Sequence, residues 1–130
     1  MKCIIAGSRT ITDYQIVKGA FLLSGFALKV TEIVSGHAAR TQKNGTWVDN
    51  VDRLGEKLAV ELHLKLKVMP AEWEKYGPQA GHIRNREMAK YAGYGHYLVA
   101  VWDGKSHGTH GMIVAAKAQG LHVYVREVRV

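Results

Sequence analysis

Short runs rich in Val and Ile alternate along the chain with stretches whose apolar residues recur every three or four positions. Runs of the first kind suit strands buried on both faces of a parallel sheet, and stretches of the second kind suit the helices that cross between them. The pattern predicts strands over residues 1–6, 30–34, 64–69, 97–102 and 121–128. One helix is expected to carry Ile16, Val17, Ala20, Phe21 and Leu23, and a second Val51, Leu54, Leu58, Ala59 and Leu62. Two more are expected over residues 83–92 and 110–119. Thr10 or Thr12 is placed to cap the first helix, while Gly25, Gly93, Gly95 and Gly120 stand where helices should stop. Residues 71–78, with Trp73 and Tyr76, read as a loop after Pro70. The polar residues 38–50, with a turn signal at Asn44-Gly45, read as an exposed excursion. These elements predict an α/β fold with an open, mainly parallel five-stranded sheet, wound right-handedly, with residues 1–130 as one domain.

Ligands on such sheets sit at the carboxyl ends of the strands, where the strand order reverses. Three small-residue turns fall at that edge: Gly7-Ser8-Arg9, Ser35-Gly36-His37 and residues 103–109. Each precedes a helix whose first N–H groups are free for an anion. One Gly-rich turn is weak evidence, because Gly is the ordinary solution for a tight strand-to-helix connection. Three converging turns are a stronger signal.

Composition narrows the partners. The 18 Lys and Arg against 11 Asp and Glu give a net charge of +7, which favours an anionic partner, nucleotide or nucleic acid, without bearing on the fold. No apolar run approaches the ~20 residues that a membrane span needs, so no membrane partner is expected. The first residues, Met1-Lys2-Cys3-Ile4-Ile5-Ala6-Gly7, read as a strand and not as a secretion signal, giving a cytoplasmic expectation. Cys3 is the single Cys, so neither an internal disulfide nor a Cys-based zinc site is available, and a packing role is expected for it. His37, His107 and His110 are the only His residues near the predicted edge. No metal and no cofactor is expected.

Several segments taken in order resemble a known family: Gly7-Ser8-Arg9, Ser35-Gly36, Val51-Asp52-Arg53-Leu54-Gly55-Glu56 and Pro70-Ala71-Glu72-Trp73-Glu74-Lys75-Tyr76-Gly77. Ala80-Gly81-His82-Ile83-Arg84-Asn85-Arg86-Glu87-Met88 and Trp102-Asp103-Gly104-Lys105-Ser106-His107-Gly108-Thr109 complete the set. Together they resemble the YspA-like branch of the SLOG superfamily across nearly the whole chain. The resemblance implies a Rossmann-like three-layer sandwich that binds nucleotides or nucleotide-derived ligands and self-associates. Lonely-guy phosphoribohydrolases of that superfamily carry an Arg ahead of a Pro-Gly-Gly-x-Gly-Thr-x-x-Glu motif. Arg84 takes the place of that Arg, and residues 104–112 align with the motif except that Met112 replaces the Glu. A thioether cannot stabilise the positive charge that develops on a ribose as its glycosidic bond breaks. Enzymatic activity is therefore the less favoured expectation. Relatives also lack residues 41–50, an inserted loop expected to rebuild the pocket rim or to be a neutral elaboration.

Candidate roles follow from side-chain chemistry. Ser8, Ser106 and Thr109 offer hydroxyls to phosphate oxygens, and Gly7 and Gly108 allow close backbone approach. Arg84, read as opening a helix, asks for an anion, either a ligand or Glu87 or Asp103. Asn85 caps its helix or touches the ligand, and Asp52 accepts from a ribose hydroxyl or simply favours a helix start. Trp73 stacks on a base or covers the core. Asp103 binds ribose or orients its loop. Ser35, Gly36 and His37 border the base or ribose, and Arg9, Arg40 and Arg53 supply positive charge around the turns. The leading expectation is a sensor or sequestering protein for a nucleoside phosphate or an ADP-ribose-like signal. An N-glycosidase using Glu87 or Asp103 is the first alternative. A nucleic-acid binder, by analogy with DprA, is the second.

Overall fold

The computed structural model describes residues 1–129. Five parallel strands, β1 (Lys2–Gly7), β2 (Glu32–Ser35), β5 (Lys65–Val68), β6 (Tyr97–Trp102) and β7 (His122–Glu127), form one sheet in the order β5-β2-β1-β6-β7. A separate antiparallel hairpin pairs β3 (Thr41–Lys43) with β4 (Thr46–Val48). The helices are α1 (Tyr14–Leu23), α2 (Val51–Glu61), a single turn α3 (Trp73–Tyr76), α4 (Ala80–Ala92) and α5 (His107–Ala118).

Alternation along the central strands divides the core. Cys3, Ile5, Val99 and Val101 point to one face and pack against Val17, Ala20 and Phe21 of α1 and Val51, Leu54 and Leu58 of α2. Ile4, Ala6, Leu98 and Ala100 point to the other, against Met88 and Ala89 of α4 and Met112, Ile113 and Ala116 of α5. Helices on both faces make the three-layer, Rossmann-like sandwich, and they explain why β1 and β6 read as unbroken apolar runs. Burial pushes the Cys3 thiol up to about 12, consistent with a packing residue. None of the helices is long and apolar enough to cross a membrane among the described residues.

Several local expectations need correcting. Asp13, and not Thr10 or Thr12, caps α1 by accepting from the Gln15 amide, and Leu23 faces solvent. Residues 71–78 are not a plain loop, since α3 and a 3-10 turn (Gly77–Gln79) fill them and lead directly into α4. Helix α4 starts at Ala80, so Arg84 lies in its second turn and does not open it. Helix α5 starts at His107 with Ser106 as its cap. The polar excursion is an ordered hairpin whose turn residues Asn44 and Gly45 both take positive φ, at 51° and 77°, as a tight two-residue hairpin turn requires.

The chain runs outward from β1 through β2 to β5, then returns to lay β6 on the other side of β1. After β1 it turns to the α1 face, and after β6 to the α5 face. The carboxyl ends of β1 and β6 thus open a crevice at the strand-order reversal.

Candidate functional site

The crevice floor is stitched together by its own polar groups. The Ser8 amide donates to the Val101 carbonyl at 3.0 Å, and the Asp103 amide donates to Ser8 Oγ at 3.0 Å. Asp103 Oδ1 accepts from the amides of Lys105 and Ser106, both at 2.8 Å, and Oδ2 from the Thr10 hydroxyl at 2.9 Å. Partial burial would raise the Asp103 pKa, but the two amides and the Thr10 and Ser8 hydroxyls outweigh it and bring the carboxyl down to about 2. Asp103 is therefore a loop organiser whose oxygens are occupied, and Ser8, at 1% exposure, is part of the same clasp.

That clasp aims the start of α5 into the crevice. Ser106 Oγ accepts from the Thr109 amide at 3.3 Å and from the Thr109 hydroxyl at 3.2 Å. Asn85 Nδ2 donates to the Gly108 carbonyl at 3.3 Å, tying α4 to α5. The amides of His107 and Gly108 have no acceptor among the described residues. They are the unpaired donors of a twelve-residue helix, at its positive end.

A second constellation comes from β2 and α2. Ser35 Oγ donates to Glu56 Oε2 at 2.7 Å and accepts from the His37 amide at 3.0 Å, while His37 Nδ1 meets the same Glu56 oxygen at 2.7 Å. His37 is held at a φ of 52°, a left-handed conformation unusual for a residue with a side chain. Asp52, at 8% exposure, accepts from the Ala38 amide at 3.0 Å. Arg84 reaches across from α4, donating from Nη1 to the Gly36 carbonyl at 2.6 Å and from Nε to Asn85 Oδ1 at 3.0 Å. A Cβ on Gly36 would overlap the Arg84 guanidinium, so a larger residue there would displace the end of that side chain.

Electrostatically the cluster is tense. Burial raises the Asp52 pKa, and Arg84, the Ala38 amide and Arg9 pull it back while Glu56 pushes it further up. Burial likewise lowers Arg84, with Asp52 raising it and Arg9 lowering it. Arg9 and Arg84 thus repel each other across the crevice, and neither has a carboxylate within ion-pair distance among the described residues.

Two neighbouring cavities result, with Arg9, Ala38, Trp73 and Arg84 lining both. The first, about 380 Å³, is lined by Gly7, Arg9, Asp52, Trp73, Arg84, Asn85, Ser106, Gly108 and Thr109 of the expected residues. The second, about 260 Å³, is lined in addition by Gly36, His37 and Arg53. Comparison with models of known protein families, with curated proteins and with solved structures found no match. The site's chemistry has to be read from its own geometry.

Four expected site residues lie outside both cavities. Ser8 and Asp103 hold the floor, Ser35 is consumed by Glu56, and Arg40 pairs with Asp49 at 2.9 Å beside the hairpin. Conversely, Asn50, His82 and His107 line the first cavity without being among the expected ligand contacts. Asn50 caps α2, accepting from the Arg53 amide at 3.3 Å, and an Asn directly before the apolar periodicity that begins at Val51 is the signal that could have marked it. His37 and His107 lie in different cavities, and His110 packs against the Trp102 ring at 5.9 Å. Hairpin residues 41–48 line neither cavity, so the rim is built by their flanks, Ala38, Ala39 and Asn50.

Proposed function

We propose that this protein binds a phosphate-bearing nucleotide derivative in the crevice between β1 and β6, as a sensor or sequestering protein that does not turn it over. The observation that carries this reading is the meeting, in one cleft, of Arg9 and Arg84, neither within ion-pair distance of a carboxylate among the described residues, with the unpaired amides at the start of α5. A phosphate there receives charge-assisted hydrogen bonds from donors already in place. Trp73, 53% exposed on the cleft wall, offers a ring face to a base. The SLOG-like motifs of the sequence support the same ligand class, and with it a cytoplasmic location and self-association.

Binding without turnover is supported by what stands at the position of the Lonely-guy glutamate. Met112 is 1% exposed among Ile4, Ala6 and Ala100, a packing position at the cleft floor. Glu87 is exposed and Asp103 is committed to its loop, and neither lines the cavity.

Calorimetric titration with nucleoside mono- and diphosphates tests the reading. Arg9→Ala, at an exposed position, and Arg84→Ala should each weaken binding about 10- to 100-fold, the effect of losing one charged hydrogen bond of about 1.5–3 kcal/mol. Absence of binding by every phosphorylated nucleoside, or affinity indifferent to both substitutions, sinks it. Release of free base during long incubation would establish an enzyme instead.

A further inference from the structure

Helices α4 and α5 leave a groove of about 400 Å³ between their outward faces. Its α4 wall is basic. His82, Arg86 and Lys90 recur there every four residues, so they form one stripe running about 12 Å along the helix. Among the described residues none of the three is within ion-pair distance of a carboxylate, and Glu87, beside Arg86 in sequence, does not line the groove. The α5 wall is small and apolar. Gly111, Ala115 and Ala118 recur at helical spacing along it, and Val114 beside them is 54% exposed. At one end the His82 ring lies over Gly111, with Nδ1 3.6 Å from where a Cβ would stand. Six of the nine lining residues are exposed, so a small molecule here would keep much of its surface in water, whereas a ligand site usually buries most of its occupant. An open trough between two helices suits a third helix laid along it.

We propose that the α4–α5 groove docks an acidic amphipathic helix of a partner protein. That helix lays an apolar stripe over Val114 and Ala115, and the small side chains of α5 let its axis approach to about 8 Å. Asp or Glu residues four apart on its flank meet Arg86 and Lys90, which are themselves four apart. Exposed ion pairs add little affinity singly, so the cations select an acidic partner and fix its direction while the burial of apolar surface holds it. A second copy docked by the same face about a twofold axis would set cation against cation, which favours a different chain as the occupant. The docking surface stands whether or not the crevice takes a nucleotide.

Selection from a displayed library of surface-randomised single helices, with the full chain as bait, tests the surface. The enriched helices should carry Asp or Glu at i and i+4 beside an apolar stripe, and fluorescence anisotropy of the synthesised peptides then reads their affinity. Reversing both cations, Arg86→Glu with Lys90→Glu, should weaken binding about tenfold or more, as the loss of two pairs and the new repulsion require. Ala118→Trp fills the groove from an exposed position and should weaken it as much without touching the charge. The two variants lie on different helices, so a folding defect in one leaves the other to decide. Enrichment of neutral or basic helices, no enrichment, or peptides that bind both variants as they bind the wild type overturns the acidic helix. So does a dimer of the chain alone, measured by sedimentation, that Ala118→Trp dissociates, since the groove then belongs to a second copy. Binding of a single-stranded oligonucleotide that the charge reversal abolishes and Ala118→Trp leaves intact assigns the basic stripe to phosphates and overturns it as well.

Discussion

Burial of the Asp52 carboxylate raises its pKa even though Arg84 and the Ala38 amide pull the other way, so ionising it comes at the fold's expense. A group with a raised folded pKa contributes stability that is fully present below its unfolded value and is lost as pH rises through the folded one. Asp52→Asn, which mimics the protonated carboxyl, should therefore raise the melting temperature at pH 7. The gain should shrink as pH falls toward 3.8, the ordinary Asp value, as wild-type Asp52 takes up its proton. Thermal unfolding across that range checks it; a variant less stable than wild type at pH 7 would show that Arg84 depends on Asp52 more than Asp52's burial costs. The neighbourhood of Asp52 was only half legible in the sequence. Their four-residue spacing puts Asp52 and Glu56 on one helix face, but it does not show that Glu56 gathers Ser35 and His37 from the end of β2. Such a contact depends on how α2 lies across the sheet, which no local pattern encodes. Ser8 and Asp103 were found for the right chemistry, that of polar groups at strand ends, yet they bind each other.

At the scale of elements, strands were the best-read part because burial on both faces leaves a continuous apolar signature, as in β6, where the expected and observed bounds coincide. Helix starts were read late, by three residues for both α4 and α5, since their first turns, Ala80-Gly81-His82 and His107-Gly108-Thr109, lack apolar periodicity and each contain a Gly, the weakest helix former after Pro. Those first turns are held in other ways: Ala80 is fully buried, and Ser106 caps α5 locally. The hairpin β3-β4 was read as an excursion because residues 42–47 are all exposed and carry no core-facing alternation. Its attachment is local: Asn50 Nδ2 donates to the Ala39 carbonyl at 2.7 Å, and Arg40 pairs with Asp49. Since the hairpin lines neither cavity, replacing residues 42–47 with a two-residue Gly-containing turn should change stability by less than about 1 kcal/mol, in keeping with the small cost of loop length. Nucleoside monophosphate affinity should stay within about twofold. A larger loss of affinity, measured by titration of the shortened protein, would mean that the hairpin closes over the bound ligand.

For the whole molecule, the strand order β5-β2-β1-β6-β7 puts the reversal beside β1, and this brings Arg9, from the first turn, to Arg84, seventy-five positions further on. The net charge of +7 acquires a specific component there, but most of the basic residues lie elsewhere on the surface. That division predicts how binding depends on salt. A small ligand gripped by two guanidiniums and a helix start releases few counterions, so its affinity should fall less than about tenfold between ~50 and ~200 mM salt. A polynucleotide held through 6–10 phosphates by the general surface charge would lose about 10³–10⁵ over the same interval. Titrations of a nucleoside monophosphate and of single- and double-stranded DNA at both salt concentrations separate the two modes. Submicromolar DNA binding that survives ~200 mM salt, with nucleotide binding absent, would transfer the cleft's arginines to a backbone-reading role and put the nucleic-acid reading first.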